Sequence, residues 1–156
     1  EKFRKVRFTS MEDFTGFVCY VLKSTMKKVE RHIIKGLDQF GVNMAQSFIL
    51  FCLLENDGST LSEIGNRAQI ENSSLTTMVD KLEREGLVER RLCTQDRRVI
   101  RLYLTEQGRA KGQEIFDIGL ELNNRFRAEL GDCREDFMKG LHIISSTLDS
   151  LENQAS

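Results

Sequence analysis

Between Leu75 and Leu104 the spacing of apolar residues changes period once, and that change limits the fold more than any other feature of the chain. Leu75, Met78, Val79 and Leu82 recur at i, i+3, i+4 and i+7, one inward stripe of a helix that begins at Asn72 and is stopped by Gly86. From there the repeat becomes two. LVERRLC at 87–93 reads as a strand, TQDRR at 94–98 as a turn and VIRLYL at 99–104 as the return strand. In the return strand Ile100, Leu102 and Leu104 share one face, while Val99, Arg101 and Tyr103 share the other. Upstream, TLSE at 60–63 fits a capping box, with Thr60 as N-cap and Glu63 reaching back, and opens a short helix, LSEIGNRA. Helix, turn, helix, hairpin is the order of a winged helix-turn-helix.

The flanks are helical. From Phe14 to Phe40 the apolar residues Phe14, Phe17, Val18, Val21, Leu22, Met26, Val29, Ile33 and Leu37 form a long two-sided stripe, closed by Gly41. Such a stripe expects neighbours on more than one face. Residues 45–55 are apolar nearly all round and predict a buried helix, with Cys52 in its core, and ENDGST at 55–60 reads as a loop. Thr105 suits the N-cap of a further helix carrying Ile115, Ile118, Leu122 and Phe126, whose first turns Gly108 and Gly112 weaken. Phe137, Leu141, Ile144, Leu148 and Leu151 follow at steps of 4, 3, 4 and 3, a heptad seam that reads as a partner face. The expected fold is therefore mainly α with a small β-hairpin wing. Residues 41–109 make the winged lobe, and 1–40 with 110–156 make a helical dimerisation region.

With 156 residues, 40% of them hydrophobic, one domain can bury a real core. Proline is absent, which favours uninterrupted helices. The net charge is −1, so any attraction to nucleic acid must come from a local patch. Cys19, Cys52, Cys93 and Cys133 stand too far apart for a zinc site, and His32 and His142 stand alone, on expected helix surfaces. Wide thiol spacing without a secretion signal predicts reduced cysteines in a cytoplasmic protein. The longest apolar run, FILFCLL at 48–54, is too short to span a bilayer. No cofactor or metal is expected. No nucleophile elbow, phosphate loop or paired-carboxylate site supports catalysis, so the chain is not expected to be an enzyme.

The chemistry lies in the middle segment. Opposite Leu75 and Leu82, the second helix of the motif carries Ser73, Thr77, Asp80, Lys81 and Arg84, flanked by Ser74 and Thr76. Short hydroxyl side chains let a helix approach the major groove closely, although an ordinary solvated helix face has the same composition. The hairpin shifts that balance. Arg84, Arg90, Arg91, Arg97, Arg98 and Arg101 outnumber Glu85, Glu89 and Asp96 by three in a chain of net charge −1. All six are arginine, the residue suited to bidentate phosphate contact and to a narrow minor groove. Asp96, two residues before Arg98, can hold that guanidinium in a fixed pose without itself facing DNA.

MVDKLE, GLVERR, Asp96-Arg97-Arg98 and Leu104-Thr105-Glu106-Gln107-Gly108 together resemble the DNA-binding core of the MarR family of bacterial transcription regulators. The resemblance covers about fifty residues closely, and the flanking helices fit the family layout. It implies a homodimer with two winged lobes set about one DNA turn, roughly 34 Å, apart on a pseudo-palindromic duplex. It places Ser73, Ser74, Thr76 and Thr77 on the reading helix, Arg98 as the minor-groove arginine and Asp96 as its wing-orienting acid; Asn72, Lys81 and Arg97 are expected to join them in DNA binding. The family often has arginine where Asn72 and Thr77 stand here, so the reading helix is less charged than usual.

Family members commonly respond to a ligand, and the resemblance implies a small aromatic or phenolic effector that releases a repressor from double-stranded DNA. Two alternatives stand beside this reading. Cys19 resembles in placement the sensing cysteine of OhrR-type peroxide sensors. There a tyrosine four residues later bonds to the thiol, where this chain has Lys23. Tyr20, about 100° around the helix, is a poor substitute, and an apolar stripe predicts a packed, inert thiol. The other alternative is a winged-helix module that binds protein rather than DNA.

Overall fold

The computed structural model describes residues 13–94, 96 and 98–154. Its order is α1 (Val18–Leu37), α2 (Met44–Glu55), β1 (Ser59–Thr60), α3 (Leu61–Ala68), α4 (Asn72–Arg84), β2 (Val88–Leu92), β3 (Ile100–Leu104), α5 (Glu106–Leu130) and α6 (Arg134–Gln154). The chain divides into two compact units, the break falling inside α5 between Gly112 and Gln113. Among the described residues no single helix is long and apolar enough to cross a membrane.

Expected and observed elements agree closely, with informative exceptions. The first helix starts four residues late, because Asp13 accepts from the Thr15 hydroxyl (2.8 Å) and stabilises a separate 3₁₀ turn at Phe14–Gly16. The segment read as a loop at 55–60 contains β1, which joins the hairpin as a third antiparallel strand in the order β1-β3-β2. Two residues are too short to display alternation. β1 is held instead by pairing Ser59 with Leu102 and Thr60 with Arg101, and by Asp57, whose carboxylate accepts from the Leu104 amide (2.9 Å).

The lobe core is continuous. Ile49, Leu50 and Leu53 of α2, Ile64 of α3, Leu75, Val79 and Leu82 of α4, Leu87 just before β2, and Leu102 of β3 are wholly buried. Cys52 departs from expectation: α2 turns it to a half-buried flank, not into the core. Helix boundaries follow their caps. Thr60 and Glu63 form the expected box, and Asn43 with Gln46 forms another at the start of α2. α4 closes on Gly86, whose amide bonds Glu83 O (3.0 Å) while the next amide, of Leu87, reaches back to Leu82 O (2.9 Å).

Gly108 is not a weak point of α5. A Cβ there would lie 1.8 Å from the Leu87 carbonyl oxygen, so only glycine lets the helix start against the strand. Thr105 fixes that junction: its hydroxyl donates to Gly86 O (2.6 Å) and accepts from the Gly108 amide (2.9 Å). Gly65 plays a similar part in the turn between α3 and α4, where a Cβ would press on Ile70 O at 3.1 Å.

Candidate nucleic-acid interface

α4 turns one face to the core and the other to solvent. Leu75, Val79 and Leu82 are wholly buried, whereas Asn72, Ser73, Ser74, Thr76, Thr77, Asp80 and Arg84 are exposed. No side chain caps the amides at the start of α4, although its N-cap residue is the acid Glu71. The Thr76 hydroxyl donates to Asn72 O (3.0 Å) and that of Thr77 to Ser73 O (3.5 Å). Lys81 faces elsewhere: its ammonium donates to Gly41 O (3.3 Å) and lies 3.7 Å from Glu85, so it braces the lobe.

The wing projects past the lobe. Leu102 and Leu104 are buried, but Ile100, on the same face, is exposed opposite Leu92, its partner in the ladder. At the tip the Cys93 amide donates to Val99 O (2.9 Å) and the Val99 amide to Asp96 O (3.0 Å). Asp96 does not act as expected. Its carboxylate accepts from the main-chain amide of Arg98 (3.0 Å), and among the described residues its ion pairs do not include the Arg98 guanidinium. A side chain two residues back reaches a turn amide more easily than a mobile guanidinium, so Asp96 shapes the turn that carries Arg98. Arg98 itself is exposed; Arg97 lies outside the described residues.

Most of the other arginines have structural work. Arg90 pairs with Asp80 (2.6 Å) and Glu83 of α4 and fastens the base of the wing to the helix. Partial burial favours its neutral form, but the bonds and charges of Asp80 and Glu83 outweigh that and hold it protonated above its ordinary range. Arg91 pairs with Glu89 and sits 4.6 Å from the Tyr103 ring centre. Arg101 donates to Gly58 O (2.7 Å) and tethers β3 to the turn before β1. Sequence reading counted these cations as one patch. It missed the Arg90 lock, for which acids at 80 and 83 followed by a strand arginine were the available signal.

The cysteines separate by environment. Cys19 is exposed in the single chain rather than packed, while burial first and then the Glu55 charge push the Cys52 thiol upward. Both histidines are exposed.

A family model described as "MarR family" matches residues 42–100, which takes in α2, the helix pair, β2 and the turn as far as the first residue of β3. The HTH-type transcriptional repressor MdtR of Bacillus subtilis (strain 168) is 30% identical over 131 residues, 84% of this chain and 83% of that protein. The chain belongs to the MarR family. It is a transcriptional regulator with a winged-helix DNA-binding lobe, not an enzyme. Another MarR-type relative, the organic hydroperoxide resistance transcriptional regulator of the same organism, is 25% identical over 65% of this chain and 69% of its own length. Among solved structures, the transcriptional repressor CouR bound to a 23-mer DNA duplex superposes with a TM-score of 0.75. It shares 27% identity and covers 87% of this chain and 97% of that one.

Proposed function

We propose that this MarR-family regulator acts as a homodimeric repressor, with α4 in the major groove and the wing arginine in the adjacent minor groove of a pseudo-palindromic duplex. The carrying observation is the division of α4 into a wholly buried apolar face and an exposed hydroxyl face beside a projecting wing that ends in Arg98. Asn72, Ser73, Ser74, Thr76 and Thr77 line the groove face, Arg98 and Arg97 contact the backbone or minor groove, and Asp96 orients the turn. Lys81 contributes through its hold on Gly41 rather than directly. The described parts of 1–40 and 110–156 carry the partner-facing surfaces, and 41–109 the DNA-facing lobe. Uncovered apolar residues on α1 (Val18, Val21, Met26, Ile34) and on α6 (Phe137, Leu148, Leu151) support a partner chain. A small aromatic or phenolic acid that changes the spacing of the two lobes would release the duplex by population shift.

The test is a fluorescence anisotropy titration on a duplex from the region upstream of its own gene, over a salt series. Affinity is expected to fall steeply with salt, and Arg98→Ala to weaken it by on the order of 1–3 kcal/mol without unfolding the chain. Absence of duplex binding at low salt would sink the proposal and favour a protein-interaction module.

The exposure of Cys19, with the likeness to a hydroperoxide-resistance regulator, favours a second reading in which oxidation of Cys19 releases DNA. The Tyr20 ring packs edge-on against Phe14 at 5.3 Å, so it is otherwise engaged. A Cys19→Ser variant that still leaves DNA on hydroperoxide treatment removes this reading.

A further inference from the structure

Resting on the DNA-binding reading of α4, we propose that this helix selects A·T base pairs by apolar contact between the Thr76 methyl and the thymine 5-methyl group. The case begins with what the helix lacks. Guanine is normally read by long donors reaching its O6 and N7 acceptors. On α4 the long donors are partly committed: Lys81 to Gly41 O and Glu85, and Arg84, in the last turn, through its Nε to Asp80 O (3.3 Å). Asn72, the side-chain type suited to bidentate adenine contact, turns its Oδ1 toward α3, where it lies 3.3 Å from the place a Cβ on Gly65 would take.

Of the exposed Ser73, Ser74, Thr76 and Thr77, only the threonines carry a methyl group. The Thr76 hydroxyl gives its proton to Asn72 O at 3.0 Å, and Thr77 makes the longer equivalent to Ser73 O at 3.5 Å. A threonine bonded this way has no proton left for guanine. It offers a methyl group and oxygen lone pairs. An A·T pair matches both, with a thymine methyl and an adenine N6 amino group, whereas a G·C pair sets unmet guanine acceptors against the same surface. The wing leans the same way, since a narrow A·T minor groove attracts an exposed arginine such as Arg98.

The test starts by enriching bound sequences from a randomised duplex library with the intact chain, then replaces thymine by deoxyuridine at each enriched position. Uracil keeps every hydrogen-bonding group and removes only the methyl. At one position in each half-site, affinity is expected to fall about fourfold, the weight of one lost methyl contact. Thr76→Ser should cause a similar fall, uracil and Thr76→Ser together should add little, and Thr76→Val, which keeps the methyl and loses only the oxygen, should fall less than Thr76→Ser. Silent uracil substitution at all positions, or Thr76→Val losing as much as Thr76→Ser, overturns the methyl contact. Enrichment of G·C pairs in the half-sites overturns the A·T preference. A chain that binds no duplex at low salt refutes the DNA-binding reading instead, and thermal melts of both variants separate either result from misfolding.

Discussion

The two ends of α5 belong to regions of opposite character. Its first turn starts against the lobe, where Gly108 lies on the Leu87 carbonyl and the surrounding leucines, isoleucines and valines are wholly buried. Beyond Gln113, in the second unit, Ile118, Leu120, Phe126, Phe137, Ile143 and Leu148 stay exposed in the single chain. Apart from Phe48 and the wing residues Leu92 and Ile100, the lobe covers most of its own hydrophobic surface, whereas the helical ends present theirs. The first behaviour is that of a self-sufficient reading head, the second that of a surface completed by another chain.

Glycine-to-alanine substitution on this one helix sharpens the contrast most. Gly108→Ala drives a Cβ into the Leu87 backbone and must separate helix from strand, at an expected cost of about 4–5 kcal/mol in chemical denaturation. Gly119→Ala meets nothing within 4 Å and should stabilise the same helix by about 1 kcal/mol through reduced chain entropy. If Gly119→Ala destabilises instead, a partner chain packs closely at that turn, and the melting temperature of the parent will depend on concentration.

Next in size comes the dimer surface. Leu148→Asp with Leu151→Asp should leave the lobe folded yet abolish self-association in analytical ultracentrifugation. Loss of paired lobes then weakens binding to a palindromic duplex by about a hundredfold while a half-site is bound nearly as before. Unchanged sedimentation would break the comparison, since the exposed seam would then need another explanation.

The Arg90 lock tests the lobe from inside. Arg90→Gln frees Asp80 and Glu83 on the helix that faces phosphate, and is expected to lower stability by about 1 kcal/mol, the modest figure reflecting partners open to water. Duplex affinity should fall as well, and Asp80→Asn in the Arg90→Gln background should restore part of it by removing the repelling charge. Failure of that rescue would make Arg90 a purely structural brace.

The same division explains what sequence could reveal. Elements whose cause is local were legible: the stripe of α4, its stop at Gly86, the Thr60–Glu63 box and the Thr105 cap each depend on residues within one turn. Features decided by a distant partner were not. β1 exists because β3 lies beside it, Gly108 is glycine because Leu87 is there, and Arg90 and Lys81 are drawn off the charged face by Asp80, Glu83 and Gly41. Site residues with short side chains stayed where periodicity put them. Long cations, free to choose among partners, did not.

The smallest expected effect concerns the capping box at the entrance to α3. Glu63 accepts from the Thr60 amide at 2.7 Å, and this bond, followed by the one from the Thr60 hydroxyl at 3.1 Å, holds its carboxyl below the usual carboxylate range. A folded-state pKa lowered in this way stabilises the fold above the ordinary carboxylate pKa, and the contribution fades as pH falls through the folded value. Because Glu63 stands open to solvent, the charge adds under about 0.5 kcal/mol, whereas Thr60→Ala, which removes the cap itself, costs about 1 kcal/mol near neutrality. Denaturation of Glu63→Gln and the parent should therefore give curves that converge as pH drops below about 4 and separate slightly above 5. A constant gap across that range would mean that the box acts through geometry alone, without its charge.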